Sequence, residues 1–245
     1  MREEKKEEVA ISTEQNKFVS WLDNYWYHYK WPTIVAIFFV LVFTISIVQS
    51  CSTERNDIIV TYAGGAYLED SDRASIETVL SSSLPEGFSG QDSPKSGFSS
   101  YFVLTKEQIL ELQEETDFNG DKKNPQINSS FIASEQQTFI NQLQTGQNSI
   151  LLLDIELYKS LFLKDGKSDQ LMSLNDIFGN VPNGAVDDYC ISLYETDMFK
   201  NYRGLRSLPE DTVICIMRKL YHQSEETYSK QVEAFKSFAQ SSASN

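Results

Sequence analysis

The sequence predicts an α/β protein in which a single N-terminal transmembrane helix precedes a globular domain with a mostly parallel or mixed sheet. Two observations lead to this prediction. A strongly apolar, uncharged segment near the N-terminus is long enough to cross a bilayer. After it, short β-branched and apolar runs alternate with segments of helical periodicity, which is the pattern of α/β folds.

The apolar segment has the length and the flanks of a membrane-spanning helix. No charged residue occurs from Trp31 to Thr53, and residues 34–48 read IVAIFFVLVFTISIV. A membrane helix needs about 20 mostly apolar residues, so we predict a transmembrane helix over residues 31–53. Tryptophan and tyrosine crowd its N-terminal side, as expected at the level of the lipid headgroups. Pro32 fits the first turn of such a helix.

The distribution of basic residues predicts the orientation of this helix. Lys17 and Lys30 lie shortly before it, whereas only Arg55 follows closely. The positive-inside rule therefore places residues 1–30 in the cytoplasm and residues 54–245 outside the cell membrane. The long leader, rich in glutamate, favours a retained anchor over a cleaved signal peptide. Aromatic residues at helical spacing within the tail fit either an interfacial helix or an extension of the transmembrane helix.

Charge and cysteine content narrow the classes of partner and site. The formal net charge of -14 argues against a nucleic-acid partner, because acidic surfaces repel phosphate. The chain has 40% hydrophobic and 12% aromatic residues, enough for a packed core. Cys190 and Cys215 lie in apolar runs, which fits two buried thiols or one bridge between neighbouring strands. The third cysteine, Cys51, follows a sequence that departs from a lipobox at Gln49, and its lipidation stays open.

The elements after the membrane helix follow from local patterns. We predict a loop over residues 85–99 and a helix end at Gly146. Strands are predicted over residues 57–62, 101–104, 127–133, 150–153, 189–193 and 212–217. Helices are predicted over residues 72–84 and 155–163, and after the capping residues Thr105, Ser134 and Ser224.

No sequence motif for catalysis is present. GxSxG, HExxH, Walker A and GxGxxG do not occur, and His222 is the only histidine after the membrane helix. We therefore predict that the protein is not an enzyme. Adjacent carboxylates at residues 187–188 and 225–226 leave a carboxylate-dependent hydrolase as a weak alternative.

One polar loop has the beginning of a calcium-binding pattern. Asp117, Asn119 and Asp121 alternate in the segment DFNGDKKNPQ and could supply oxygen ligands. Glycine is not at the central position, and Asn128 stands where a bidentate glutamate is expected. An Asx turn between two elements explains the same residues. A calcium site and a simple turn are both left open.

Two stretches resemble known families. In residues 139–178, a helix ends at Gly146, the buried strand Ile150–Asp154 follows, and Tyr158 and then Leu174-Asn175-Asp176 come after it. This order resembles type II extracellular solute-binding proteins. The segments YWYHYKWPTIVAIFFVLVFTISIVQSC, DIIVTYAGG, DFNGDKK and DYCISLYETDMFK resemble membrane-anchored proteins of uncharacterised function from clostridial Firmicutes.

The resemblance implies a type II periplasmic-binding-like α/β domain, in a reduced version because residues 54–245 are short for a two-lobed protein. It implies capture of a small solute or peptide by loops at strand ends, which gives Gly64, Gly65, Tyr67, Asp154 and Tyr158 as candidate ligand-binding residues. The alternative is a protein–protein interaction or scaffold module of a cell-envelope or transporter complex.

Overall fold

The computed structural model describes residues 4–52, 56–90, 93–114, 129–146 and 148–240. The chain divides into two compact units, Met1–Glu54 and Arg55–Asn245. The candidate calcium ligands Asp117, Asn119 and Asp121 lie outside the described residues, as do residues 127–128 of the strand predicted over residues 127–133.

The first unit is one long helix, α1, over Glu4–Ser52. Its segment Val19–Ile47 is long and apolar enough to span a membrane. Trp21, Tyr25 and Tyr29 stack on one face at i, i+4 spacing, with ring centroids 5.7 and 5.3 Å apart. Because this aromatic stretch is itself helical, Pro32 lies inside the helix, and its predicted place in the first turn was wrong.

The second unit alternates strands and helices. Its strands are β1 (Ile58–Gly64), β2 (Ser96–Phe102), β3 (Ile150–Asp154), β4 (Cys190–Ser192) and β5 (Thr212–Ile216). Its helices are α2 (Asp70–Ser82), α3 (Lys106–Glu114), α4 (Ser129–Thr145), α5 (Ile155–Phe162), α6 (Leu174–Phe178), α7 (Asp197–Asn201) and α8 (Glu225–Phe238). Short 3-10 turns occupy Phe88–Gly90, Leu193–Glu195 and Arg203–Leu205.

The five strands form one mixed sheet in the order β2-β1-β3-β5-β4. Strand β1 pairs in parallel with β2 on one side and with β3 on the other. Strand β5 is antiparallel to both β3 and β4. The connection from β1 leads to β2 on one side, and the connection from β2 returns past β1 to β3 on the other side. The carboxyl ends of β1 and β3 therefore form a topological switch point, where open α/β sheets commonly bind ligands.

Alternating side chains of the sheet build two hydrophobic layers. One layer contains Ile150 and Leu152 of β3 and is covered by α2, α6 and α8. The other contains Leu151 and Leu153 and is covered by α4 and α5. Because both faces of β3 are buried, its sequence is continuously apolar rather than alternating.

Most predicted elements of this unit are confirmed, with two corrections. Thr105 and Gln108 form the predicted capping box, with reciprocal hydrogen bonds of 3.2 and 2.8 Å. Strand β2 begins at Ser96, inside the predicted loop, because pairing with β1 outweighs the weak strand propensity of its serines and glycine. Residues 129–133 are helical instead of extended, so α4 starts before the predicted cap Ser134.

Candidate functional site

The structure brings three of the five candidate ligand-binding residues together at the switch point. Asp154 ends β3, and its two carboxylate oxygens accept hydrogen bonds from Gly65 N, at 2.6 Å, and from the Tyr62 hydroxyl, at 2.8 Å. Gly64 lies directly against that carboxyl group, which fills the space that a Cβ atom on Gly64 would occupy. The Tyr62 hydroxyl also accepts a hydrogen bond of 3.2 Å from Ala66 N. This network fixes the loop that follows β1.

The surroundings of this network raise the pKa values of Asp154 and Tyr62. Burial raises the pKa of Asp154, and the hydrogen bonds from Gly65 and Tyr62 offset part of that increase. Burial and the neighbouring Asp154 raise the pKa of Tyr62 well above its usual value. Both side chains are almost fully buried and bonded to each other or to the loop. Asp154 therefore stabilises the loop and has no oxygen without a donor.

The other two candidates lie apart from this network. Tyr67 is 75% exposed beyond the loop. Tyr158 is buried in the second hydrophobic layer, where its hydroxyl donates a 2.6 Å hydrogen bond to Asp187. The same carboxylate accepts hydrogen bonds from the backbone of Tyr189 and Cys190. Tyr158 thus fixes the chain before β4 and does not line a cleft with Asp154.

A polar cleft of about 510 Å³ lies at the same edge of the sheet, between α3 and α5. Its lining includes Glu107, Glu111 and Glu156, all exposed, together with Lys159. Lys159 forms an ion pair of 3.2 Å with Glu156. Solvated carboxylates of this kind discriminate weakly between ligands, because water and salt screen their charges.

The larger cavity is a groove at the opposite edge of the sheet, where β3 begins and β5 ends. It measures about 610 Å³, which is within the range of small-molecule sites. Six apolar side chains from α4, α5 and the segment after β5 line it: Ile140, Leu143, Leu161, Phe162, Met217 and Leu220. Its polar lining consists of Gln144, Asp169, Gln170, Arg218 and Lys219.

Hydrogen bonds hold the basic side of this groove in place. Arg218 donates from its backbone N to Gln170 O at 2.7 Å, and from Nε to Leu171 O at 2.8 Å. Within the described part of the chain, its two terminal amino groups make no hydrogen bond, so they are available to an anion. Lys219 forms an ion pair with the exposed Glu225.

Most of the remaining sequence-predicted groups have structural partners. Asp187 is bound as described above, while Glu226 forms an ion pair of 3.0 Å with Lys230. His222 is exposed, and its Nε2 lies 2.8 Å from the carbonyl oxygen of Thr145. Among the described residues, no group of three or more histidine, cysteine or acidic side chains could hold a metal ion.

Our sequence prediction missed the groove, although one signal was present. Arg218 and Lys219 directly follow the apolar run of β5, in a chain with 35 acidic and 21 basic residues. A pair of basic residues at the end of a buried strand marks an edge of the sheet with local positive charge. The apolar wall carried no comparable signal, because its residues come from three separate elements.

Comparison with protein families, with curated proteins and with solved structures finds no match to this chain.

Proposed function

We propose that this protein is a membrane-tethered, non-enzymatic domain that binds a small solute or peptide outside the cell. The ligand has an apolar body and one anionic group, a carboxylate or phosphate. The observation that supports this proposal is the groove, in which six apolar side chains adjoin the guanidinium of Arg218. Burial of the apolar body supplies affinity, and the cation selects the charged end.

The charges around the groove favour a single anionic group. Arg218 can form a bidentate pair with a carboxylate or phosphate, since Leu171 O engages only its Nε. Asp169 also lines the groove and opposes a second negative charge nearby. The proposal includes the fold that the resemblance implies, a type II periplasmic-binding-like domain over residues 54–245.

The ligand class can be tested with three molecules that share one alkyl chain: decanoate, decanol and decylammonium. Residues 55–245 are suitable for this test, because every residue in both hydrophobic layers lies between Ile58 and Ala239. We expect decanoate to bind most tightly by calorimetry. Arg218→Gln should lower its affinity about tenfold, the equivalent of one exposed charge-assisted hydrogen bond.

Arg206→Gln is the matched control, because Arg206 is an exposed arginine that does not line the groove. It should leave the decanoate affinity unchanged. Equal affinity for decanoate and decanol, or no effect of Arg218→Gln, would contradict the proposed ligand class.

The tether is a separate part of the proposal. It rests on the apolar segment Val19–Ile47 and on the basic residues that precede it. The chain should remain in the membrane fraction after carbonate extraction, with its N-terminal residues present by intact mass. A protease added to intact cells should digest a C-terminal tag and spare an N-terminal one. Loss of residues 1–52 from the mature chain would show a cleaved signal instead.

A further inference from the structure

Two free cysteines occupy directly opposite positions on neighbouring strands. Cys190 of β4 and Cys215 of β5 are paired in the antiparallel register. Both side chains belong to the same hydrophobic layer, so they project from the same face of the sheet. Both are fully buried.

The hydrogen bonds around Cys190 show which kind of antiparallel pair this is. Its backbone N donates to Asp187 Oδ1, and its carbonyl oxygen accepts from Val186 N, both away from β5. Two residues later, Ser192 N likewise donates away from β5, to Gly184 O. Cys190 and Cys215 therefore form a non-hydrogen-bonded pair, in which Cα atoms lie about 4.5 Å apart and side chains are closest. That separation is within the range spanned by disulfides.

We propose that Cys190 and Cys215 are a disulfide-forming pair that joins β4 to β5 when the protein meets a disulfide oxidant. One cysteine sulfur attacks a small disulfide such as oxidised glutathione, which forms a mixed disulfide and releases one glutathione thiol. The second cysteine then attacks the mixed disulfide and releases the other glutathione. The two cysteines lose two electrons and two protons, and the small disulfide is reduced to two thiols.

The rate of this reaction depends on opening of β4. Burial raises the pKa of the Cys190 thiol to about 12, so little thiolate is present at neutral pH. Strand β4 has three residues and lies at the edge of the sheet, which makes it the strand most easily released. Closure should therefore be slow in the native protein and faster in urea below the unfolding transition.

The test uses the full chain in detergent micelles, first reduced and then exposed to oxidised glutathione with and without mild urea. After denaturation, a thiol-specific maleimide counts the free cysteines by intact mass. The reduced chain has three cysteines and should take up three labels. The oxidised chain should take up at most one, because Cys51 either stays free or carries a glutathione adduct, and peptide mapping should find residues 190 and 215 linked.

Two variants separate this bridge from other products. Cys51→Ser should still close the bridge, whereas Cys190→Ser should form no intrachain link. Three labels on the oxidised wild-type chain in urea would overturn the proposal. A stable glutathione adduct on Cys190 or Cys215, without a disulfide between them, would also overturn it, because adjacent sulfurs in this register must react with each other.

Discussion

Replacement of Gly64 by alanine should displace Asp154 and release the loop after β1. Gly64 has no positive φ, so the alanine backbone is not strained there. Its Cβ atom would instead overlap the carboxyl group of Asp154. That group must then move away from its two donors, Gly65 N and the Tyr62 hydroxyl.

The size of the effect follows from those two hydrogen bonds. A buried donor left without an acceptor costs about 1–3 kcal/mol. Gly65 is only half-buried and regains water, so we expect Gly64→Ala to lower the free energy of unfolding by about 2–4 kcal/mol. Asp154→Ala removes the same acceptor and should cost about as much. In the double variant the overlap is gone, so adding Gly64→Ala to Asp154→Ala should cost less than about 1 kcal/mol.

Urea unfolding of residues 55–245, followed by tyrosine near-UV circular dichroism, measures these differences. Tryptophan fluorescence is unsuitable, because all three tryptophans lie in α1. Strong non-additivity is the expected result. If the two single costs simply add in the double variant, Asp154 is not what occupies the space beside Gly64, and the network described above is wrong.

Three further predictions concern stability. The pKa of Asp154 is raised in the folded state, so its contribution to stability is greatest below its unfolded pKa and is lost as pH rises through its folded pKa. The difference in unfolding free energy between wild type and Asp154→Asn should therefore fall with increasing pH. Tyr158→Phe should cost about 1.5–3 kcal/mol in urea unfolding, because it removes a buried hydrogen bond to the Asp187 carboxylate. Gly146→Ala and Gly179→Ala both place alanine at positive φ, which should lower the free energy of unfolding by about 1–2 kcal/mol in each variant. Of the two, only the new Cβ at position 146 would meet side chains, so the melting temperature of Gly146→Ala should fall further than that of Gly179→Ala.

The parts of the fold that were predicted correctly carry strong local signals. Strand β3 is a continuous apolar run that ends at Asp154, and α8 begins at the predicted cap Ser224, whose hydroxyl accepts from Thr227 N at 3.1 Å. Strand β2 was missed in part because its first five residues, SGFSS, become a strand only through pairing with β1. The sequence could not show that distant pairing.

The candidate site was predicted less well than the fold, for a physical reason. Sequence position places Gly64, Gly65 and Asp154 at one edge of the sheet, and the structure brings them together. Sequence position does not reveal that both carboxylate oxygens of Asp154 already accept hydrogen bonds from within the domain. Tyr158 was expected to face a ligand because it closely follows β3, but α5 directs it into the core.

The most direct test of the proposed function locates the ligand within the domain. Residues 55–245 contain three methionines, Met172, Met198 and Met217, and only Met217 lines the groove. With ¹³C-labelled methionine methyl groups, a titration with decanoate should shift the Met217 signal saturably and leave the Met198 signal unchanged, because Met198 lies in the other hydrophobic layer. The same titration of Arg218→Gln should reach half-saturation at about tenfold higher decanoate. An unmoved Met217 signal, or equal shifts of all three signals, would contradict binding in the groove.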